Sequence, residues 1–316
     1  MKKVLVAGFA ALSMVVASGT AALAEWKPSG PIKLMIAFKA GGGADTQARL
    51  IAEHIEKSRG WKVIPENVTG KGGVNALSAL KKEPNDGTSI AMVVTESLGY
   101  NMAAAKKSGL MPSDFTPLTT TAGFQMGVVA KTDKGWKTFD DVIAAAKGGE
   151  KLRFGAMSPR LADLAYLLGE ATGIEFNTVM VRGGKGVMNG LNAGDIDIGF
   201  GAGIQNKAVA AGDMVNLLSA MSTRLKISPD APTLADVGVK FNADGHFVLV
   251  APAGLPDDAR SALTDVIVEA ISDESSKASG IIKKAFGGAV VIKGAELDAL
   301  VQAGFDDAGT LMKAVE

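Results

Sequence analysis

The chain has no cysteine, only two histidines and few aromatic side chains, 5% of its 316 residues. Without cysteine there is no thiol catalysis, no disulfide, no Cys-ligated zinc and no iron–sulfur cluster. His54 and His246 lie far apart, and a structural role is the ordinary reading of each. The scarcity of aromatics argues against stacked-base or sugar-platform surfaces. An excess of charge of one sign is also missing, since 33 basic residues face 33 acidic ones. A general nucleic-acid binder carries a strong basic excess. Enzymatic signatures are absent as well: there is no Gly-x-Ser-x-Gly elbow and no phosphate-binding loop ending in Gly-Lys-Ser or Gly-Lys-Thr. Ser78-x-x-Lys81 matches a nucleophile spacing but stands inside a helical pattern without companion motifs, and we read it as chance.

What is present begins with an export signal. Lys2 and Lys3 precede an apolar run, Val4–Ala17, that is too short for a typical spanning helix. Ala22-Leu23-Ala24 then supplies a small-x-small cleavage pattern, so residues 1–24 are expected to be removed. Cleavage removes two lysines and no acid, leaving a slightly acidic chain. No later segment holds the roughly 18 continuous apolar residues that cross a bilayer. With no cysteine to carry a lipid anchor, the mature chain is expected to be soluble and confined to a periplasm.

From there, short apolar runs alternate with helical patterns. Ile32–Phe38, Trp61–Glu66 and Ser89–Thr95 read as strands of one series, and Leu152–Ala156, Phe176–Val181 and Ile196–Gly201 as strands of another. Between them, Ala48, Ile51, Ala52 and Ile55, and later Leu161, Leu164, Ala165 and Leu168, fall on single helix faces. Two such series predict an α/β fold of two lobes with largely parallel sheets. Met126–Lys131 and His246–Ala251 are expected to be the crossings between lobes. Residues 25–125 plus 246–316 then form one lobe, and 126–245 the other. Helices near Asp257–Ser272, Ser276–Ala285 and Glu296–Lys313 are expected to return to the first lobe.

Four strand-to-helix junctions stand out. They are Gly41-Gly42-Gly43-Ala44-Asp45-Thr46, Gly70-Lys71-Gly72-Gly73, Ser158-Pro159-Arg160 and Arg182-Gly183-Gly184-Lys185-Gly186. Ligands of open α/β sheets bind outside the carboxyl ends of the strands, where helix N-termini favour an anion. A lone glycine turn is often only a turn, and recurrence is what makes these four a cleft. Arg160 and Arg182 offer two-pronged donors for a carboxylate, though most arginines simply face solvent. Lys39 and Lys71 read as solvated. Thr95 and Ser97, at the end of a strand, either face the cleft or cap a helix.

Taken in order, these residues resemble the solute-binding proteins of tripartite tricarboxylate transporters, the TctC or Bug family. Pro31–Arg49 is similar to that family's first strand, glycine turn and Asp-containing helix start. Glu66-Asn67-Val68-Thr69-Gly70-Lys71-Gly72-Gly73 resembles its Glu-Asn-x-x-Gly-x-Gly-Gly loop, and Asn85-Asp86-Gly87-Thr88 its Asp-Gly turn. Further signatures are Phe115-Thr116-Pro117-Leu118, Val181-Arg182-Gly183-Gly184, Ala193-Gly194-Asp195-Ile196-Asp197 and Ser222-Thr223-Arg224. Pro229-Asp230-Ala231-Pro232-Thr233 and Ala251-Pro252-Ala253-Gly254-Leu255-Pro256 complete the set.

The resemblance implies a two-lobed, type II-like periplasmic binding fold with the ligand between lobes joined by two crossing hinge strands. It implies a binding protein rather than an enzyme; the residues themselves show no metal-ligand spacing, no cofactor is expected, and a monomer is expected. Such a protein captures a small organic acid and delivers it to membrane permease subunits. It also implies capture by backbone amides, hydroxyls and bridging waters. Carried onto this chain, the resemblance points to Gly41, Gly42, Gly43, Ala44, Asp45 and Thr46 in a first loop and to the Ala156–Arg160 turn, with Ser158 and Arg160, together with Arg182, Gly183 and Gly184 in a second; Gly72, Thr95 and Ser97 are site candidates from the residues themselves. Three departures bear on the ligand. Met157-Ser158-Pro159-Arg160 replaces glycines, Asp163 stands at a usual His, and Val181 at a usual Tyr. An arginine in place of small residues predicts a ligand group that the usual members do not hold. The alternatives are a periplasmic sensor component with the same cleft, or an enzyme using Glu96 or Asp45, for which no facing nucleophile is evident.

Overall fold

The computed structural model describes residues 26–316; the expected leader, residues 1–24, lies outside the described residues. In chain order the strands are β1 (Ile32–Ile36), β2 (Val63–Asn67), β3 (Ser89–Val94), β4 (Phe115–Gly123) and β5 (Met126–Lys131). They continue with β6 (Leu152–Ala156), β7 (Phe176–Met180), β8 (Ile198–Ala202), β9 (Met214–Ser219) and β10 (His246–Pro252). The helices are α1 (Gly43–Arg59), α2 (Val74–Leu80), α3 (Thr95–Leu98), α4 (Tyr100–Ala104), α5 (Phe139–Lys147) and α6 (Pro159–Thr172). Then come α7 (Gly183–Ala193), α8 (Asn206–Ala210), α9 (Asp257–Ser272), α10 (Lys277–Phe286), α11 (Gly294–Asp306) and α12 (Ala308–Ala314). Among the described residues, no helix is long and apolar enough to cross a membrane.

The strands form two five-stranded sheets, β2-β1-β3-β10-β4 and β7-β6-β8-β5-β9. The two share one topology. In each, the first three strands are parallel, and an antiparallel strand from elsewhere in the chain separates them from the last. The parallel centre of the first sheet is buried on both faces, which is why β1 reads as an apolar run broken only by Lys33 near its start. Leu34 and Ile36 share a core with Ile51 and Ile55 of α1, while Met35 and Ala37 pack with Val74, Leu77 and Leu80 of α2. Register places Met35 of β1 between Glu66 of β2 and Ala91 of β3. In the second sheet, Phe154 stacks edgewise on Phe176 at 5.1 Å and packs on Phe200 at 4.8 Å. The predicted faces of α1 and α6 are the buried ones.

The expected crossings need refinement. Met126–Lys131 lies wholly in the second sheet and His246–Pro252 wholly in the first. The chain passes between sheets in the short segments just before them, Phe124-Gln125 and 241–245, and the Phe124 N–H donates to the Gly245 carbonyl at 2.9 Å. β4, α5 and β9 were not anticipated. β4 carries Thr116, Thr119, Thr120 and Thr121 around Pro117, so it lacks the apolar run that marks its neighbours. The C-terminal helices do return to the first sheet: α9 and α10 pack on α1 and β4, α11 on β4, and α12 on α4. The third expected helix is two, parted at Asp307.

Asp197, just before β8, ties the second sheet together. It accepts from Lys134 Nζ at 2.6 Å and from Arg153 Nε, Nη2 and N–H, each at 3.0 Å. Burial alone raises its pKa, but the hydrogen bonds from Arg153 and Lys134 outweigh this and hold it at about 2. A folded pKa below the unfolded one adds stability above about pH 4, which is lost as pH falls towards 2. Asp197→Asn is therefore expected to flatten that part of the acid limb in denaturant titrations run at stepped pH. Phe154→Ala, which empties a site with no solvent exposure, is expected to cost about 3–5 kcal/mol in the same titrations at neutral pH.

Candidate functional site

The carboxyl ends of β1 and β3 face those of β6 and β8 across a cavity. Phe38, Lys39, Gly42, Gly43, Ala44, Gly72, Val94 and Glu96 line it from the first sheet's side. Met157, Ser158, Leu161, Gly183, Gly184, Lys185, Ala202 and Ile204 line it from the second. Phe124, Met126 and Phe247, from the crossing region, complete it. Phe247 stacks edgewise on Phe124 at 5.2 Å and on Phe286 of α10 at 4.9 Å. Measured at the centres of water-sized spheres, about 50 Å³ is open. That is the room of a few water molecules or one small organic molecule.

The glycine turn before α1 is held from behind. Asp45 is buried, and its carboxylate accepts from the Gly41 N–H at 2.9 Å, Asn67 Nδ2 at 2.8 Å and Arg49 Nε at 2.9 Å. Gly41 sits at φ 76°, a left-handed conformation that favours glycine. The result aims the backbone of Gly42, Gly43 and Ala44 at the cavity. No side chain caps α1 or α7, so the first N–H groups of both helices keep their capacity to bind an anion. The second glycine loop is fixed in a similar way. The Gly72 carbonyl accepts from Ser97 Oγ at 2.7 Å and Asn101 Nδ2 at 3.2 Å. A Cβ at Gly72 would stand 2.5 Å from Asn101 Nδ2, so only glycine fits.

Two bridges cross the seam between the sheets. Ser158 Oγ donates to Glu96 Oε2 at 3.2 Å, and Arg160 Nη1 to Glu96 Oε1 at 3.4 Å. The same guanidinium donates to the Asn242 carbonyl at 2.8 Å and the Asp244 carbonyl at 3.2 Å. Beside it, the Tyr100 hydroxyl donates to Asp163, the residue standing where the resemblance has a His. Burial pushes the Glu96 carboxyl up, against the pull of Arg160 and Ser158. Burial and then Asp163 push the Tyr100 phenol up.

Of the residues singled out in the sequence, Gly42, Gly43, Ala44, Gly72, Ser158, Gly183 and Gly184 meet at the cavity. Asp45 and Ser97 lie behind it, holding the two glycine loops. Thr95 Oγ1 accepts the His246 N–H at 3.1 Å and so ties α3 to β10. Gly41 and Thr46 line a separate outer groove with Asn206 and Lys207. Arg182 is exposed and lines another groove with Lys71. Arg160 serves the seam, its donors taken by Glu96 and the crossing segment. The sequence reading missed Phe38, Phe124, Met126 and Phe247 as cavity residues, while Met157 lies in the second loop it had marked. Lys39, read from the sequence as solvated, is exposed where it lines the cavity, and Lys185, in a glycine turn already marked, lines it from the other sheet. Neither ammonium has a partner among the described residues. Among these residues, no cluster of three or more His, Asp or Glu side chains is placed to hold a metal ion.

Removing Arg160 would leave Glu96 buried without its cation. Arg160→Ala is expected to destabilise the chain by about 3 kcal/mol in thermal or denaturant unfolding. Adding Glu96→Gln to that variant is expected to restore most of the loss, because an amide tolerates the site without a cation.

A family model described as "Tripartite tricarboxylate transporter family receptor" matches residues 47–294. A UPF0065 protein of Agrobacterium vitis is 28% identical over 258 residues, 78% of this chain and 72% of that protein. The solved structure of the periplasmic binding protein BugD superposes with a TM-score of 0.81 at 22% identity, covering 92% of this chain and 98% of that one. That of MatC from Rhodopseudomonas palustris with bound malate gives 0.79 at 22% identity, covering 92% and 100%. The chain belongs to the TctC family of tripartite tricarboxylate transporter receptors, solute-binding proteins rather than enzymes.

Proposed function

We propose that this receptor captures a small organic acid in the periplasm and delivers it to a tripartite tricarboxylate-type membrane permease. One observation carries the acid. Lys39, which is exposed, and the half-buried Lys185 line the same cavity from opposite sheets, and neither forms an ion pair among the described residues. They stand beside the uncapped N-termini of α1 and α7, and a Cβ on Gly42 would touch Lys185 Cβ at 3.8 Å. The apolar walls, among them Leu161, Ile204 and Phe247, suit the acid's hydrocarbon body. A relative in fold, MatC, has malate bound. The backbone of Gly42, Gly43, Ala44, Gly72, Gly183 and Gly184, with Ser158, supplies the remaining polar contacts.

Residues 25–125 with 246–316, and 126–245, act as two lobes swinging about the paired segments at Phe124 and Gly245. A ligand that touches both half-sites favours the closed form. The closed shape is what the permease reads. One chain holds both half-sites, so capture itself needs no second copy.

The test is a thermal-shift and calorimetric screen of the leaderless chain against small acids and their uncharged amides. An acid at 100 times its Kd is expected to add about 2.7 kcal/mol of stability, its amide much less. The Lys39→Gln/Lys185→Gln pair is expected to weaken acid binding by about tenfold, an effect that shrinks at high salt. Equal stabilisation by acids and amides, or none by any acid, would overturn the reading.

A further inference from the structure

Besides the two lysines, Glu96 and Ser158 are the side chains that bring polar atoms to the cavity wall. The Ser158 hydroxyl is spoken for, since it accepts from the Leu161 N–H at 3.3 Å and donates to Glu96. The Glu96 side chain, only 3% exposed, is not. A carboxylate offers about four acceptor positions. Here two are met, by bonds at the long end of the range, 3.2 Å from Ser158 and 3.4 Å from Arg160. Buried polar groups keep as many partners as they can, and Glu96 lines this cavity as well as a groove with Thr95, Tyr100 and Arg160 on its other side. The cavity therefore has Lys39 and Lys185 in its lining and an acidic side chain, Glu96, in its wall.

We propose that Glu96 is a specificity-determining residue, selecting a small monocarboxylic acid that also carries a hydroxyl or amino group. This rests on the acid-capture reading and narrows it. The ligand's carboxylate is held at Lys39 and Lys185, and its O–H or N–H donates to Glu96. A second carboxylate in that place would meet a like charge out of water and offer no proton to donate. Arg160 acts here as a positioning residue, holding Glu96 from the side of the crossing segment through Asn242 and Asp244.

Calorimetry on the leaderless chain tests this with butanoate, its hydroxy- and amino-substituted forms and butanedioate. At least one substituted butanoate is expected to bind about ten- to a hundredfold tighter than butanoate. Butanedioate is expected to bind no tighter than butanoate. In Glu96→Gln the advantage of the amino-substituted form is expected to narrow, and butanedioate to gain relative to butanoate. These comparisons on the unmodified chain stand whether or not the variant folds. Acids that bind without regard to the hydroxyl or amino group, or butanedioate binding tightest, would overturn the role of Glu96 and leave acid capture intact. No binding by any of these acids, or by the wider acid screen, would overturn both.

Discussion

A carboxylate removed from water must keep a cation or several donors about it, and Glu96 finds both only on the opposite sheet. Its chain neighbours supply neither. Ser158 and Arg160, from the start of α6, reach it only when the two sheets stand as they do here. A buried pair of this kind adds little to stability by itself, because desolvation offsets most of the attraction. Its consequence is geometric. The pair specifies which faces of the two sheets meet, and it places an anion in the wall of the cavity those faces enclose. The Tyr100–Asp163 hydrogen bond repeats the restriction one helical turn further along α6.

The rest of the cleft follows from strand direction. Parallel strands deliver their carboxyl ends, and the helix N-termini after them, to one edge of each sheet. In both sheets the same order recurs, with one antiparallel strand inserted from a distant part of the chain. Those inserted strands, β5 and β10, require the chain to pass between sheets at neighbouring places. Phe124 and Gly245 hydrogen-bond there, and the rings of Phe124, Phe247 and Phe286 pack beside the ligand space. The crossing region and the wall of the cavity thus share residues.

Much of this was legible in the chain. Burial on both faces makes β1, β3 and β8 mostly apolar runs, and the helical stripes of α1 and α6 mark the faces that the core covers. The four glycine-bearing or Ser-Pro junctions were legible because a turn between strand and helix needs residues with unusual backbone freedom or capping groups. β4 was not legible. Its threonines and Pro117 gain their place from pairing with β10, more than 120 residues later in the chain. The same holds for Phe124 and Phe247, whose roles come from a crossing that has no local signature.

The sequence by itself determined the fold class, the junctions and the family, because these depend on periodicity and on motifs within a few residues of one another. It also marked the loops that meet at the cavity. Tertiary structure alone decided what each side chain does there. Asp45 and Ser97 turned behind their loops because buried backbone N–H and carbonyl groups needed partners. Arg160 was drawn to a carboxylate 64 residues away, and so serves the seam between the sheets. Lys39 and Lys185 became neighbours of one cavity. Charge pairing and closure depend on distances between residues remote in the chain, and only folding sets those distances.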